Sequence, residues 1–95
     1  MSTNTWSETL QQQTREAIQD IFIGLDGKLH FKHIKNGNAF IHLDDLIQDR
    51  RLLIHKLTEE HILFSDVNKL ISNGWAIDWK IPQRFKNHEL HHNPI

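Results

Sequence analysis

Residues 21–43 read IFIGLDGKLHFKHIKNGNAFIHL, and two short loops inside them, Leu25-Asp26-Gly27 and Lys35-Asn36-Gly37, each sit between apolar runs. A turn that ends in Gly can use a left-handed backbone conformation, so such loops fix strand register before any packing is considered. The spacing predicts a small antiparallel β-meander whose first strand covers 17–23. With three-residue loops at both places, Ile21 and Ile23 lie beside Phe31 and Leu29. Leu29, Phe31 and His33 then lie beside Leu43, Ile41 and Ala39, and the apolar side chains share one face. A two-residue loop at Asn36-Gly37 would pair Phe31 with His42 and divide them between faces. A helix continuing from Trp6 through Phe22 is the competing reading, and the run Ile21-Phe22-Ile23 before Gly24 favours the strand.

Beyond the meander, Asp44 or Asp45 is placed to cap a helix carrying Leu46, Ile47, Leu53, Ile54 and Leu57 at helical spacing. Thr58 is placed to cap a second helix, with Glu59 and Glu60 in its first turn and Ile62, Leu63, Val67, Leu70 and Ile71 following. Gly74 supplies its stop. Trp75, Ile77, Trp79 and Ile81 then alternate with Ala76, Asp78 and Lys80, the period of a fourth strand that Pro82 ends. Upstream, Thr5 and Glu8 form a capping box for a helical arm over 5–16 with a thin apolar stripe of Trp6 and Leu10. The expected class is α+β in one domain: a helical arm over 1–16, a core over 17–81 with two helices packed on one face of the sheet, and a polar, His-rich tail over 82–95.

Composition narrows the function. Eleven Lys and Arg against 12 Asp and Glu give a formal charge of −1, with no global attraction toward nucleic acid or anionic membrane. Without cysteine there is no disulfide, thiolate zinc site or Cys nucleophile. The N-terminal residues lack signal-peptide features and no apolar run approaches the ~18 residues of a membrane span, so a soluble, cytoplasmic protein is expected. Eight histidines are the compositional oddity.

The string Asp26-Gly27-Lys28-Leu29-His30-Phe31, through Asn36-Gly37 to His42-Leu43-Asp44-Asp45-Leu46, then Phe64-Ser65-Asp66-Val67 and Trp75-Ala76-Ile77-Asp78-Trp79, resembles the bacterial domain of unknown function 2442 over roughly residues 17–81. Here Trp79 is followed by Lys80-Ile81-Pro82 where that family usually continues with Pro-Asn-Gly. The resemblance implies a small bacterial or phage-borne protein, one half of a toxin-antitoxin-like pair, with a protein partner and no catalytic residue to carry over.

Among motifs that carry chemistry, His88-Glu89-Leu90-His91-His92 matches the H-E-x-x-H pattern, in which two histidines on one helix face bind zinc and the Glu activates water. Its polar flank Lys86-Asn87 and the Asn93-Pro94 that follow argue against the buried helix such an enzyme needs. Metal affinity at His88, His91 and His92 is the weaker reading, and a solvated tail the simpler one. The preferred register also sets His30 beside His42 on the outer face, where solvation is the simplest role. His55 and His61 fall on helical outer faces. Ser65 and Ser72 lack a nucleophile elbow, and Asp44/Asp45 and Glu59/Glu60 are explained as helix-start residues.

The sequence therefore predicts a non-catalytic protein-interaction module, antitoxin-like or a phage-encoded inhibitor, without a cofactor. Its expected contacts are Trp6, Leu10, Arg50, Arg51, Phe85 and the last eight residues, aromatic and arginine side chains being enriched at binding hot spots. A nucleic-acid-binding regulator using Arg50, Arg51, Lys56, Lys69, Lys80, Arg84 and Lys86 is the alternative, and a zinc-dependent hydrolase through His88, Glu89 and His92 a distant one. An open sheet edge would offer a route to a homodimer.

Overall fold

A computed structural model describes residues 5–24, 26–35 and 37–80. Helix α1 (Glu8–Gln19) is followed by strands β1 (Lys28–His33) and β2 (Asn38–His42), a short α2 (Leu43–Ile47), β3 (Arg51–His55), β4 (His61–Phe64), α3 (Val67–Ser72) and β5 (Trp75–Ile77). All strand pairs are antiparallel, and the order across the sheet is β4-β3-β2-β1-β5. The α+β class, the meander and the N-terminal helix stand, but other residues build the meander.

The expected first strand over 17–23 is the C-terminal end of α1 and its exit. Leu10, Thr14, Ala17 and Ile18 recur at helical spacing, with Thr14 and Ala17 buried and Leu10 and Ile18 packed against the core. Reading the arm only to Glu16 removes half of that stripe. The N-cap is Ser7, whose hydroxyl accepts from the Leu10 N–H, in place of the Thr5/Glu8 box. Helix α1 ends with the Phe22 N–H donating to the Ala17 carbonyl and Ile21 at φ 55, a Schellman-type exit with Ile where Gly is usual. Ile21, Phe22 and Ile23 thus reach the core from a turn.

The β1–β2 register pairs Leu29 with Ile41, His30 with Phe40 and Phe31 with Ala39. The expected register is two residues away: the connection is three residues long, but it lies between His33 and Gly37, where the His33 N–H donates to the Gly37 carbonyl. A shift of two keeps each side chain on its face, so the predicted apolar face is correct while the pairs are not. His30 and His42 are consequently not neighbours across the ladder.

The helix expected from Asp44 stops at Ile47. Asp49 takes φ 59, the Arg50 N–H donates to the Asp45 carbonyl, and the apolar run Leu52-Leu53-Ile54 enters β3. A contiguous apolar run suits a buried strand as well as a helix, and here the vacant position between β2 and β4 decides. The helix expected from Thr58 divides into β4 and α3, whose cap is Asp66 accepting from the Lys69 N–H. Glu59 and Glu60 therefore lie in the β3–β4 connection and start no helix. Gly74 does end α3, at φ +99, where an added Cβ would stand 2.7 Å from the His33 ring. β5 is shorter than expected and buried on both faces, whereas Trp79 is 44% exposed; Ile81 and Pro82 lie outside the described residues.

Leu29, Phe31, Ala39, Ile41, Leu53, Phe64, Trp75 and Ile77 form the buried face, closed by α1 and α3. Among the described residues the outer edge of β5 has no strand beside it. There the Ile77 N–H donates to Thr14 Oγ1 at 3.0 Å, and the same hydroxyl donates to the Leu10 carbonyl at 2.7 Å. Trp6 Nε1 donates to the Gly74 carbonyl and Trp79 Nε1 to Gln13, one on either side of that bond along the strand. Thr14→Val keeps the shape but leaves a buried N–H without an acceptor; urea unfolding should show a loss of about 1–3 kcal/mol. Thr14→Ser should recover most of it.

Candidate functional site

An open groove of about 590 Å³ lies where the end of α1, the α2–β3 turn and the start of α3 meet. Ile18, Ile21, Leu46 and Val67 supply its apolar lining, and Arg15, Arg50 and Arg51 line it as well. Asp49 and Asp66 also line it, so arginines exceed carboxylates by one. A second depression formed by Leu63, Phe64 and Ser65 shares Asp49, Arg50 and Arg51 and carries the groove toward β4.

Each arginine is oriented differently. Arg15 donates from Nε and one terminal nitrogen to the neutral Asn68 side chain, at 3.3 and 3.2 Å, and so is positioned without losing its charge to a carboxylate. Arg50 Nε meets Asp45 at 2.7 Å, which leaves the outer fork of the guanidinium facing solvent. Arg51 is the most tightly held: it pairs with Asp49 at 2.8 Å and donates to the Phe64 and Ser65 carbonyls. Such forks match carboxylate geometry and, beside apolar surface, recognise an acidic group attached to an apolar one.

Two residues of the lining, Ile21 and Asp49, have positive φ. For a β-branched residue this backbone costs roughly 1–2 kcal/mol, and it places the Ile21 side chain in the groove lining. A glycine would end α1 more comfortably and leave that part of the lining empty.

Of the residues expected to meet a partner, Arg50 and Arg51 lie in this groove. Trp6 and Leu10 do not: Trp6 is half-buried, bonded to Gly74 and covered by the Lys32 ammonium 4.9 Å from its ring, and Leu10 packs against the core. Both are committed inside the domain. Phe85, His88, His91 and His92 lie outside the described residues. Arg15 and Ile21 were not expected in a site, because they reach Arg50 and Arg51 only through the tertiary fold. Following the stripe of α1 past Glu16 is the one sequence signal that leads to them.

Among the described residues no three His, Asp or Glu side chains gather as a metal-binding group. His30 is buried and bonds Asp26 at 2.8 Å, while His42 stands edge-on to Phe40. His55 is in β3, where its Nδ1 accepts from Leu57 and Thr58 and shapes the turn. Among the described residues no helix is long and apolar enough to cross a membrane. Comparison with protein-family models, curated proteins and solved structures finds no match to this chain.

Replacing Ile21 separates strain from packing: Ile21→Ala keeps the unfavourable φ and loses the side chain, whereas Ile21→Gly loses both. The Gly variant should be the more stable by about 1 kcal/mol in urea unfolding. Burial raises the Asp26 carboxyl, but the hydrogen bond and charge of His30, with the Lys28 N–H and ammonium, outweigh it and hold the group below its ordinary 3.8. A depressed value gives stability that is present above pH 3.8 and lost as pH falls through the folded-state value. Asp26→Asn should therefore destabilise by less than about 1 kcal/mol at neutral pH, with the gap to the wild type closing in acid.

Proposed function

We propose that the protein is a non-catalytic interaction module, antitoxin-like or inhibitory, that acts in the cytoplasm by covering a partner protein's surface, and that the arginine-rimmed groove is its contact site. The observation that carries this reading is that three arginines, from α1, the α2–β3 turn and the start of β3, line one groove with apolar side chains, one of them on backbone of positive φ. A partner segment with an acidic side chain beside an apolar anchor complements it: the anchor packs on the apolar lining and the carboxylate meets the outer fork of Arg50, with the Arg15 charge beside it. The resemblance to the domain of unknown function 2442 implies the same class of partner. Arg51 contributes more to its own domain than to such a contact, because its donors are already directed at Asp49 and two carbonyls.

The test is capture of the tagged chain's partner from its host at two salt concentrations with nuclease present, then titration of the purified partner. Arg15→Ala with Arg50→Ala should weaken binding at least about tenfold, with the circular dichroism spectrum unchanged. Binding that is indifferent to this pair refutes the groove. Recovery only of nucleic acid, with affinity falling steeply as salt rises, replaces the proposal with the regulator reading.

A further inference from the structure

Leu29, Phe31, Ala39, Ile41 and Leu53 turn to the buried face of the sheet, and the residues that alternate with them point to the other face. There His42 and His61 are exposed and Lys28, Lys32, Phe40 and Ile54 half-buried. The ladder aligns His30, Phe40, Ile54 and His61 in one row, a residue from each of four strands. Lys28 lies on one side of this row and Lys32 on the other, about 13 Å apart along β1. Phe40 is the centre of a ring cluster: His42 stands edge-on at 5.1 Å, His30 is tilted at 6.3 Å, and Lys28 Nζ lies 4.5 Å from the ring centroid.

Charge is sorted on this face. The chain holds 11 Lys and Arg against 12 Asp and Glu, yet no Asp or Glu occupies an outward position of β1 to β4. Among the described residues neither Lys28 nor Lys32 forms an ion pair; the first rests on Phe40 and the second 4.9 Å from the Trp6 ring. Two carboxylates border the face, and both are engaged. Asp26 bonds His30 at 2.8 Å and tempers the Lys28 charge without pairing with it, and Asp78 accepts from the Asn38 side chain and the Lys80 N–H.

We infer that this face of the sheet binds single-stranded nucleic acid, on a surface separate from the arginine groove. Phosphates meet Lys28 and Lys32 on either side, and unstacked bases lie on the row of rings and apolar side chains between them. Lys28 moves from the Phe40 ring to a phosphate, and a base takes its place over the ring. Cations set among rings fit a chain in which charge and flat bases alternate. An acidic peptide answers the lysines but not the rings, and a duplex, whose bases are already stacked on one another, also meets the lysines alone.

Fluorescence anisotropy of the full chain with a labelled oligothymidylate of about 12 nucleotides tests this. In about 50 mM NaCl the dissociation constant should lie below about 100 μM, the range of sequence-independent binding. Two phosphate contacts on a single strand give a slope of about −1.4 in log K against log salt, so affinity should fall about sevenfold by about 200 mM. Lys28→Gln and Lys32→Gln should each halve that slope. Phe40→Leu should weaken binding at least about fivefold at unchanged slope, with the circular dichroism spectrum of each variant unchanged. A duplex of the same length and polyglutamate should both bind more weakly than the single strand. No binding at about 200 μM chain overturns the inference. So does binding that survives all three substitutions, binding abolished by Arg15→Ala with Arg50→Ala but not by them, or equally tight binding of duplex or polyglutamate. If Phe40→Leu does not fold, the lysine variants and the two competitors decide.

Discussion

The fold rests on the closure of one sheet edge by a helix. β5 is only three residues long and is buried on both faces, so its peptide groups need partners on either side. β1 provides one side. The other is met by a threonine hydroxyl inside α1, which donates back to its own helix and accepts from the strand in the same position. A threonine that bonds its own i−4 carbonyl is ordinarily a neutral feature of a helix. Here it turns the helix into a substitute for a sixth strand, and the core between α1, α3 and the sheet is sealed as a result.

Much of this was legible in the sequence, and what was not has a common cause. Parity of the β1–β2 hairpin was readable because one buried face fixes which residues point inward, even with the loop placed one residue late. The segments over 17–23, 52–54 and 62–63 were misread because a short contiguous apolar run fits a buried strand and a buried helix alike. Their fates were decided by neighbours distant in sequence: α1 could lengthen because Thr14 and Ala17 meet β5, and β3 and β4 formed because β2 had an open side. The site followed the same division. Arg50 and Arg51 were recognisable as adjacent arginines within an expected helix, but Arg15 and Ile21 join them only in three dimensions.

Helix termination is where stability and recognition meet in this chain. All three helices end in a residue with positive φ, yet only α3 uses glycine there, and it does so because a side chain would strike the His33 ring. At the ends of α1 and α2 there is space, and Ile21 and Asp49 occupy it at a conformational cost. Those two exits line one groove, while the third non-glycine residue with positive φ, Glu59, lies in the β3–β4 connection.

The seam between α1 and β5 also sets the order in which the chain becomes a protein. Its bonds join residues 63, 66 and 68 positions apart, from the two ends of the described region, whereas β1 to β4 pair with near neighbours. During synthesis α1 emerges well before β5 and must wait, its apolar stripe uncovered, until β5 has left the ribosome. The meander can assemble in the meantime as local hairpins, which close quickly because little loop entropy is lost. Completion of the core is therefore a late event in the life of the nascent chain, and until Trp75 and Ile77 arrive the amphipathic helix is the segment most open to chaperones and to misassociation.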